Sequence, residues 1–172
     1  MVGVLVLSTA LSFVDRQVLA ALAPFLKDHF HLTNEGYGLV VSAFSLAYAL
    51  CAPASGILID RIGLTAGAAL VVGLWSVAGV ATGLVGGLGG LLACRALLGA
   101  AESGGIPATA KGFALYLEPR ERAMGTALNQ AGITLGMMAA PLLVGVLAAS
   151  YGWRVGFVAT GLAGFAWFRS GS

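Results

Sequence analysis

The chain has 172 residues, of which 59% are apolar and only 9% charged, and its mean hydropathy is +0.95. Soluble domains carry about 25% charged residues, so this composition excludes a soluble globular protein and indicates an integral membrane protein. The net charge of +2 comes without a basic run, which excludes a nucleic-acid face.

A membrane helix needs about 20 mostly apolar residues. Six segments meet that length, from about Val2 to Ala23, Tyr37 to Ile59, Leu64 to Val85, Leu91 to Leu115, Ala123 to Ala149, and Trp153 to Phe168. Regular alternation of apolar and polar residues is absent, so the fold class is all-α and a barrel is not expected. The chain opens at Met1 already inside apolar sequence, and a preceding cytosolic tail is expected.

The first segment carries Asp15 and Arg16 side by side and stops at Pro24. Neighbours on a helix point about 100° apart, so the two charges face different surroundings. Burial disfavours an ionised carboxylate and a nearby cation favours it, which makes Asp15 a candidate proton carrier. The alternative is a static ion pair tying the first and fourth segments together. Arg16 is a candidate for a substrate carboxylate, because a guanidinium is a planar fork of donors that stays charged when buried. His29 and His31 fall in the loop from Phe25 to Gly36, which reads as solvated and not as a metal site.

In the second segment Tyr48 is placed to donate to a substrate oxygen, with interior packing as the alternative. The turn after it reads Gly56-Ile-Leu-Ile-Asp60-Arg61-Ile-Gly63. Gly56 permits close helix contact. Asp60 at the membrane boundary is suited to accept hydrogen bonds from a helix N-terminus, and Arg61 to reach a lipid phosphate or a carboxylate. A plain interfacial turn is the competing reading. Trp75 lies mid-span and reads as packing. Cys51 and Cys94 read as small apolar packers without metal spacing.

The fourth segment holds Arg95 and Glu102, seven residues and two helical turns apart, so both leave nearly the same face about 10 Å apart along the axis. Charges at membrane depth are costly and mark function. Arg95 is a second candidate for anion contact, the alternative being a tether to a helix C-terminus or to Asp60. Glu102 precedes Gly104, Gly105 and Pro107, which weaken the helix and place a kink at Pro107. A carboxylate beside a pliable helix is a candidate for proton coupling, against a buried glutamate satisfied by Arg95 through water. In the fifth segment Asn129 and Gln130 are polar and about 100° apart in direction, so one of them is expected to face a cavity. Gly132, Gly136 and Pro141 allow close packing and bending. Tyr151, Trp153 and Trp167 are placed as interface anchors. The ending Arg169-Ser-Gly-Ser reads as a truncated or appended tail without function. No phosphate-cradling loop, zinc spacing or nucleophile triad is present, so neither an enzyme nor a cofactor nor a metal is expected.

Loops after the second and fourth segments, with the tail, carry Arg61, Lys111, Arg120, Arg122 and Arg169, against Lys27 and Arg154 on the other side. The basic side is cytoplasmic, which places both termini in the cytoplasm of a multi-pass protein of the cell's inner (plasma) membrane.

The Gly56 to Gly63 turn resembles the signature of major facilitator superfamily transporters, with Leu64-Thr65 where that signature places basic residues. Ser12-Phe13-Val14-Asp15-Arg16, Arg95-x-x-x-Gly99-x-x-Glu102-Ser-Gly-Gly-Ile-Pro107, Glu118-Pro-Arg-Glu-Arg122 and Tyr151-Gly-Trp-Arg154 narrow the resemblance to the anion:cation symporter family. That family often has Asn-Tyr where Ser12-Phe13 stand, and some members place a glutamine where Gly132 stands. The resemblance implies the N-terminal six-helix half, residues 1–168, of a twelve-helix fold, built from two inverted three-helix repeats. It implies proton-coupled uptake of an organic anion such as a hexuronate or other sugar acid. Arg16, Arg95, Tyr48, Asn129 and Gln130 would face substrate and Asp15 and Glu102 would carry protons. Gly56, Asp60, Arg61 and Gly63 would gate. Partners would be the small anion, protons, the lipid bilayer and the missing C-terminal half. The alternatives are a porter for a neutral sugar or drug, and a non-transporting membrane scaffold or dimer of halves.

Overall fold

The computed structural model describes the backbone of residues 2–171 and the side chains of residues 2–166. The side chain of Trp167 and the tail from Arg169 lie outside the described side chains. Among the described residues the regular elements are eight α-helices: α1 Val2–Ala21, α2 Ala23–His29, α3 Asn34–Ile62, α4 Leu64–Leu84, α5 Leu88–Glu102, α6 Gly105–Tyr116, α7 Arg122–Tyr151 and α8 Trp153–Gly171. Four of them, α1, α3, α4 and α7, are by themselves long and apolar enough to cross a membrane.

Two segments differ from the expectation, both at prolines. Pro24 does end the first helix, but it also starts the next, because its fixed φ and missing N–H suit a first helical turn. The supposed loop is therefore helical to His29, and the fully buried Leu22 and Leu26 hold α2 to the core. The fourth segment is broken at Ser103-Gly104, one turn before the expected kink at Pro107. A proline at 107 cannot donate to the carbonyl of residue 103, so the ladder fails there. Ser103 instead bonds the Ala100 carbonyl and the Ser55 hydroxyl, at 2.7 and 2.6 Å.

Two joints have no loop at all. Gly63 links α3 to α4 at φ 88, ψ 157, and Gly152 links α7 to α8 at φ 87, ψ 160. This conformation is essentially restricted to glycine. Each glycine N–H also closes the helix before it, onto Ile59 O at 3.0 Å and Ala148 O at 2.9 Å.

α1 packs along α7, α3 along α5, and α4 along α8, with α5 also against α4 and α1 against α8. The α4–α8 contact brings backbone against backbone at glycines. A Cβ on Gly161 would lie 2.7 Å from Val80 N and 2.9 Å from Ser76 O, and one on Gly79 would lie 3.2 Å from Gly161 Cα. Three apolar clusters form the core. One gathers Val18, Leu22, Leu91, Val144 and Phe157, a second Val71, Trp75 and Leu98, and a third Leu5, Ile59, Leu64 and Ala108. Along α1, Asp15 and Arg16 fall between residues of the third and first clusters, and along α5, Arg95 falls between residues of the first and second. Trp153 belongs to the first cluster and is 7% exposed, with ring contacts to Phe157, Phe30 and His29. It is a core residue and not an interface anchor, whereas Tyr151 is 72% exposed.

Candidate functional site

Helix geometry brings Asp15 and Arg16 of α1 and Arg95 and Glu102 of α5 into one polar layer. Asp15, Arg95 and Glu102 are buried. Arg16 Nε donates to Glu102 Oε2 at 2.7 Å, with the glutamate side chain fully enclosed and the arginine 24% exposed. The Arg16 guanidinium also lies over three rings, Phe13 at 4.5 Å, Tyr48 at 4.7 Å and Phe44 at 5.2 Å. Rings in this arrangement attract a cation through their negative faces. Glu102 Oε1 has no protein partner.

Asp15 turns away from Arg16, toward Thr160 of α8, and interacts electrostatically with Arg95. Arg95 Nη2 donates to Thr82 Oγ1 at 3.1 Å, its guanidinium lies 5.1 Å from the Phe157 ring, and its Nε has no protein partner. The two carboxylates and two guanidiniums sum to zero charge when all are ionised. Arg16 and Arg95 line one cavity of about 160 Å³, whose other walls are Leu19, Ala20, Tyr37, Val41 and Phe44.

Glu102 is held directly by Arg16, through Oε2. Arg95 is tethered to Thr82 in the last turn of α4, the expected tether to a helix C-terminus, and not to Asp60, whose partner is Lys111 Nζ of α6 at 2.7 Å. Lys111 Nζ also reaches Ile59 O at 3.2 Å, at the C-terminal end of α3, and so lies in a helix and not in the loop that its charge suggested. Arg61 is exposed. Gly56 lies at ordinary contact distance from Pro107.

Asn129 is half-buried, with its Oδ1 enclosed and without a protein partner, while Gln130 is exposed. Neither lines the cavity between the arginines. Tyr48 serves as a ring beneath Arg16, stacked on Phe44 with centroids 5.9 Å apart. Sequence reasoning missed Thr82, Thr160, Phe13, Phe44 and Lys111. Only Lys111 had a legible signal, as a charge nine residues beyond Glu102 in continuous apolar sequence.

The profile of the Major Facilitator Superfamily matches residues 5–169. The chain is 32% identical over 167 residues to a hexuronate transporter of Escherichia coli (strain K12), covering 97% of this chain and 39% of that protein. It is 30% identical over 167 residues to a galacturonate transporter of Dickeya chrysanthemi, covering 97% and 48%. A bacterial homolog to the human lysosomal transporter Spinster, solved in an inward-facing and occupied conformation, superposes with a TM-score of 0.87 at 25% identity, over 98% of this chain and 42% of that one. The chain thus spans less than half the length of these relatives. With the profile match over nearly its whole length, this all-helical membrane chain belongs to the Major Facilitator Superfamily, a family of transporters and not of enzymes.

Proposed function

We propose that the protein takes up a small organic anion, a sugar acid or other carboxylate, together with protons, by alternating access. The single observation that carries this reading is the shared cavity of Arg16 and Arg95 behind which Asp15 and Glu102 are buried. The four charges balance, so an entering carboxylate leaves one negative charge uncompensated in a poorly solvated layer. A proton on Asp15 or Glu102 restores neutrality. Glu102 is the better placed, since Arg16 is its direct partner and an anion on Arg16 competes for the same donors.

A potential of 100 mV opposes entry of each negative charge by about 2.3 kcal/mol. Two protons per monoanion reverse the sign of the moving unit, and the potential then assists. The names of the relatives, hexuronate and galacturonate transporters, support a carboxylate substrate.

The chain acts as the N-terminal half, residues 1–168, of a twelve-helix transporter in the inner (plasma) membrane, with both termini cytoplasmic. In this reading α1, α3, α4, α5–α6, α7 and α8 are the six spans, and the first three are the inverted copy of the last three. The packing supports it. Exchanging the copies turns the α1–α7 contact into α5–α3 and α1–α8 into α5–α4, and returns α4–α8 to itself. The same exchange relates the Gly63 joint to the Gly152 joint. The missing half supplies the facing wall, and Asp60, Arg61 and Gly63 with Gly56 serve the gate.

Uptake of radiolabelled carboxylates into proteoliposomes carrying the full-length transporter tests the reading. An inward-directed pH gradient is expected to drive accumulation, and Glu102→Gln to abolish that drive while leaving anion binding. Uptake indifferent to the gradient, with Glu102→Gln as active as the parent, would sink it.

A further inference from the structure

We propose that Thr82 is a positioning residue of the anion site, whose hydroxyl aims the Arg95 guanidinium while leaving its charge free for the carboxylate. This rests on the anion reading above and adds to it the residue that sets one of the two arginines. Thr82 is fully buried and Arg95 is 2% exposed. Thr82 stands in the last turn of α4, which packs against α5.

The direction of the hydroxyl is fixed by its own helix. A threonine hydroxyl has one proton and two lone pairs. The proton goes to Ala78 O at 2.7 Å, one turn back, so Thr82 presents a lone pair to α5. Arg95 Nη2 donates to it at 3.1 Å. The guanidinium carbon lies 5.1 Å from the centre of the Phe157 ring, so α4 and α8 both contribute to its seat.

The chemistry of the partner decides what each arginine has left to offer. Among the described residues the direct ion pairs are Arg16–Glu102, Lys111–Asp60 and Arg120–Glu118, and Arg95 is in none of them. Asp15 and Glu102 act on Arg95 through their charge and not through a direct pair. Among the described residues its hydrogen-bond acceptor is Thr82 alone, since the buried Nε has no protein partner. A carboxylate at position 82 would compete with a substrate for the same cation, as Glu102 does for Arg16. A neutral hydroxyl makes the weaker bond, and it orders the guanidinium without cancelling its charge.

The test is equilibrium binding of radiolabelled glucuronate to the full-length transporter in lipid nanodiscs, with a thermal melt of each variant alongside. Valine at position 82 keeps the shape of threonine and loses the acceptor, whereas serine keeps the acceptor. Arg95→Gln is expected to weaken binding by at least about tenfold, and Thr82→Val by about three- to tenfold, the loss of one hydrogen bond. Thr82→Ser is expected to stay within about twofold of the parent. If Arg95→Gln weakens binding while Thr82→Val binds as the parent does, whatever its melt, the positioning role is overturned and the anion reading stands. Thr82→Ser binding as weakly as Thr82→Val has the same meaning, because the hydroxyl is then not what counts. Arg95→Gln binding as tightly as the parent, or no binding by the parent, overturns the anion reading and this role together.

Discussion

Arg16 is held from two directions. Glu102 fixes its Nε, and the rings of Phe13, Tyr48 and Phe44 surround the guanidinium plane. A lysine keeps the charge but loses the fork and the planar stacking. Arg16→Lys is therefore expected to weaken carboxylate binding by about tenfold or more, roughly one lost charge-assisted hydrogen bond, with the protein still folded. Isothermal titration of the parent and the variant checks this. At the other end of the bundle Lys111 and Asp60 form a pair that is 29% and 72% exposed. Exposed pairs contribute about 0.2–1 kcal/mol. Lys111→Ala is expected to cost about 1 kcal/mol at most in a detergent melt, and Asp60→Asn to add little on top of it. The four central charges were legible because a charge in a 20-residue apolar run is conspicuous. Their partners were not, since Thr82, Thr160 and Phe44 are ordinary residues of membrane helices until the packing sets them opposite a charge.

Among the helices, the α4–α8 contact depends on the absence of side chains. A leucine at Gly161 meets the α4 backbone at Val80 N and Ser76 O, which cannot give way as a flexible side chain would. Gly161→Leu is expected to destabilise by about 1–3 kcal/mol or to prevent folding. Gly73 in the same α4 has nothing within 4 Å of an added Cβ. Gly73→Ala is expected to raise stability by about 0.5–1 kcal/mol, because alanine loses less entropy in a helix. Thermal melts of the two variants separate packing from propensity. Helix positions followed from apolar runs, but the breaks at Leu22 and Ser103-Gly104 did not. Proline marks a disturbance of the ladder, and only the surrounding contacts decide whether the chain kinks, restarts or opens a turn.

At the scale of the whole molecule, the two arms that meet at Gly63 and at Gly152 share one geometry. A joint of one residue has no slack. The end of α3 therefore stays within one residue of the start of α4, and the end of α7 within one residue of the start of α8. The same tightness denies entry to a protease, which needs several residues of extended chain. Brief trypsin treatment of the protein in nanodiscs is expected to cut at Arg120, in the turn from Leu117 to Glu121, long before it cuts at Arg61 or Arg154. Early cleavage at Arg61 would mean that the Gly63 joint opens by unwinding the end of α3.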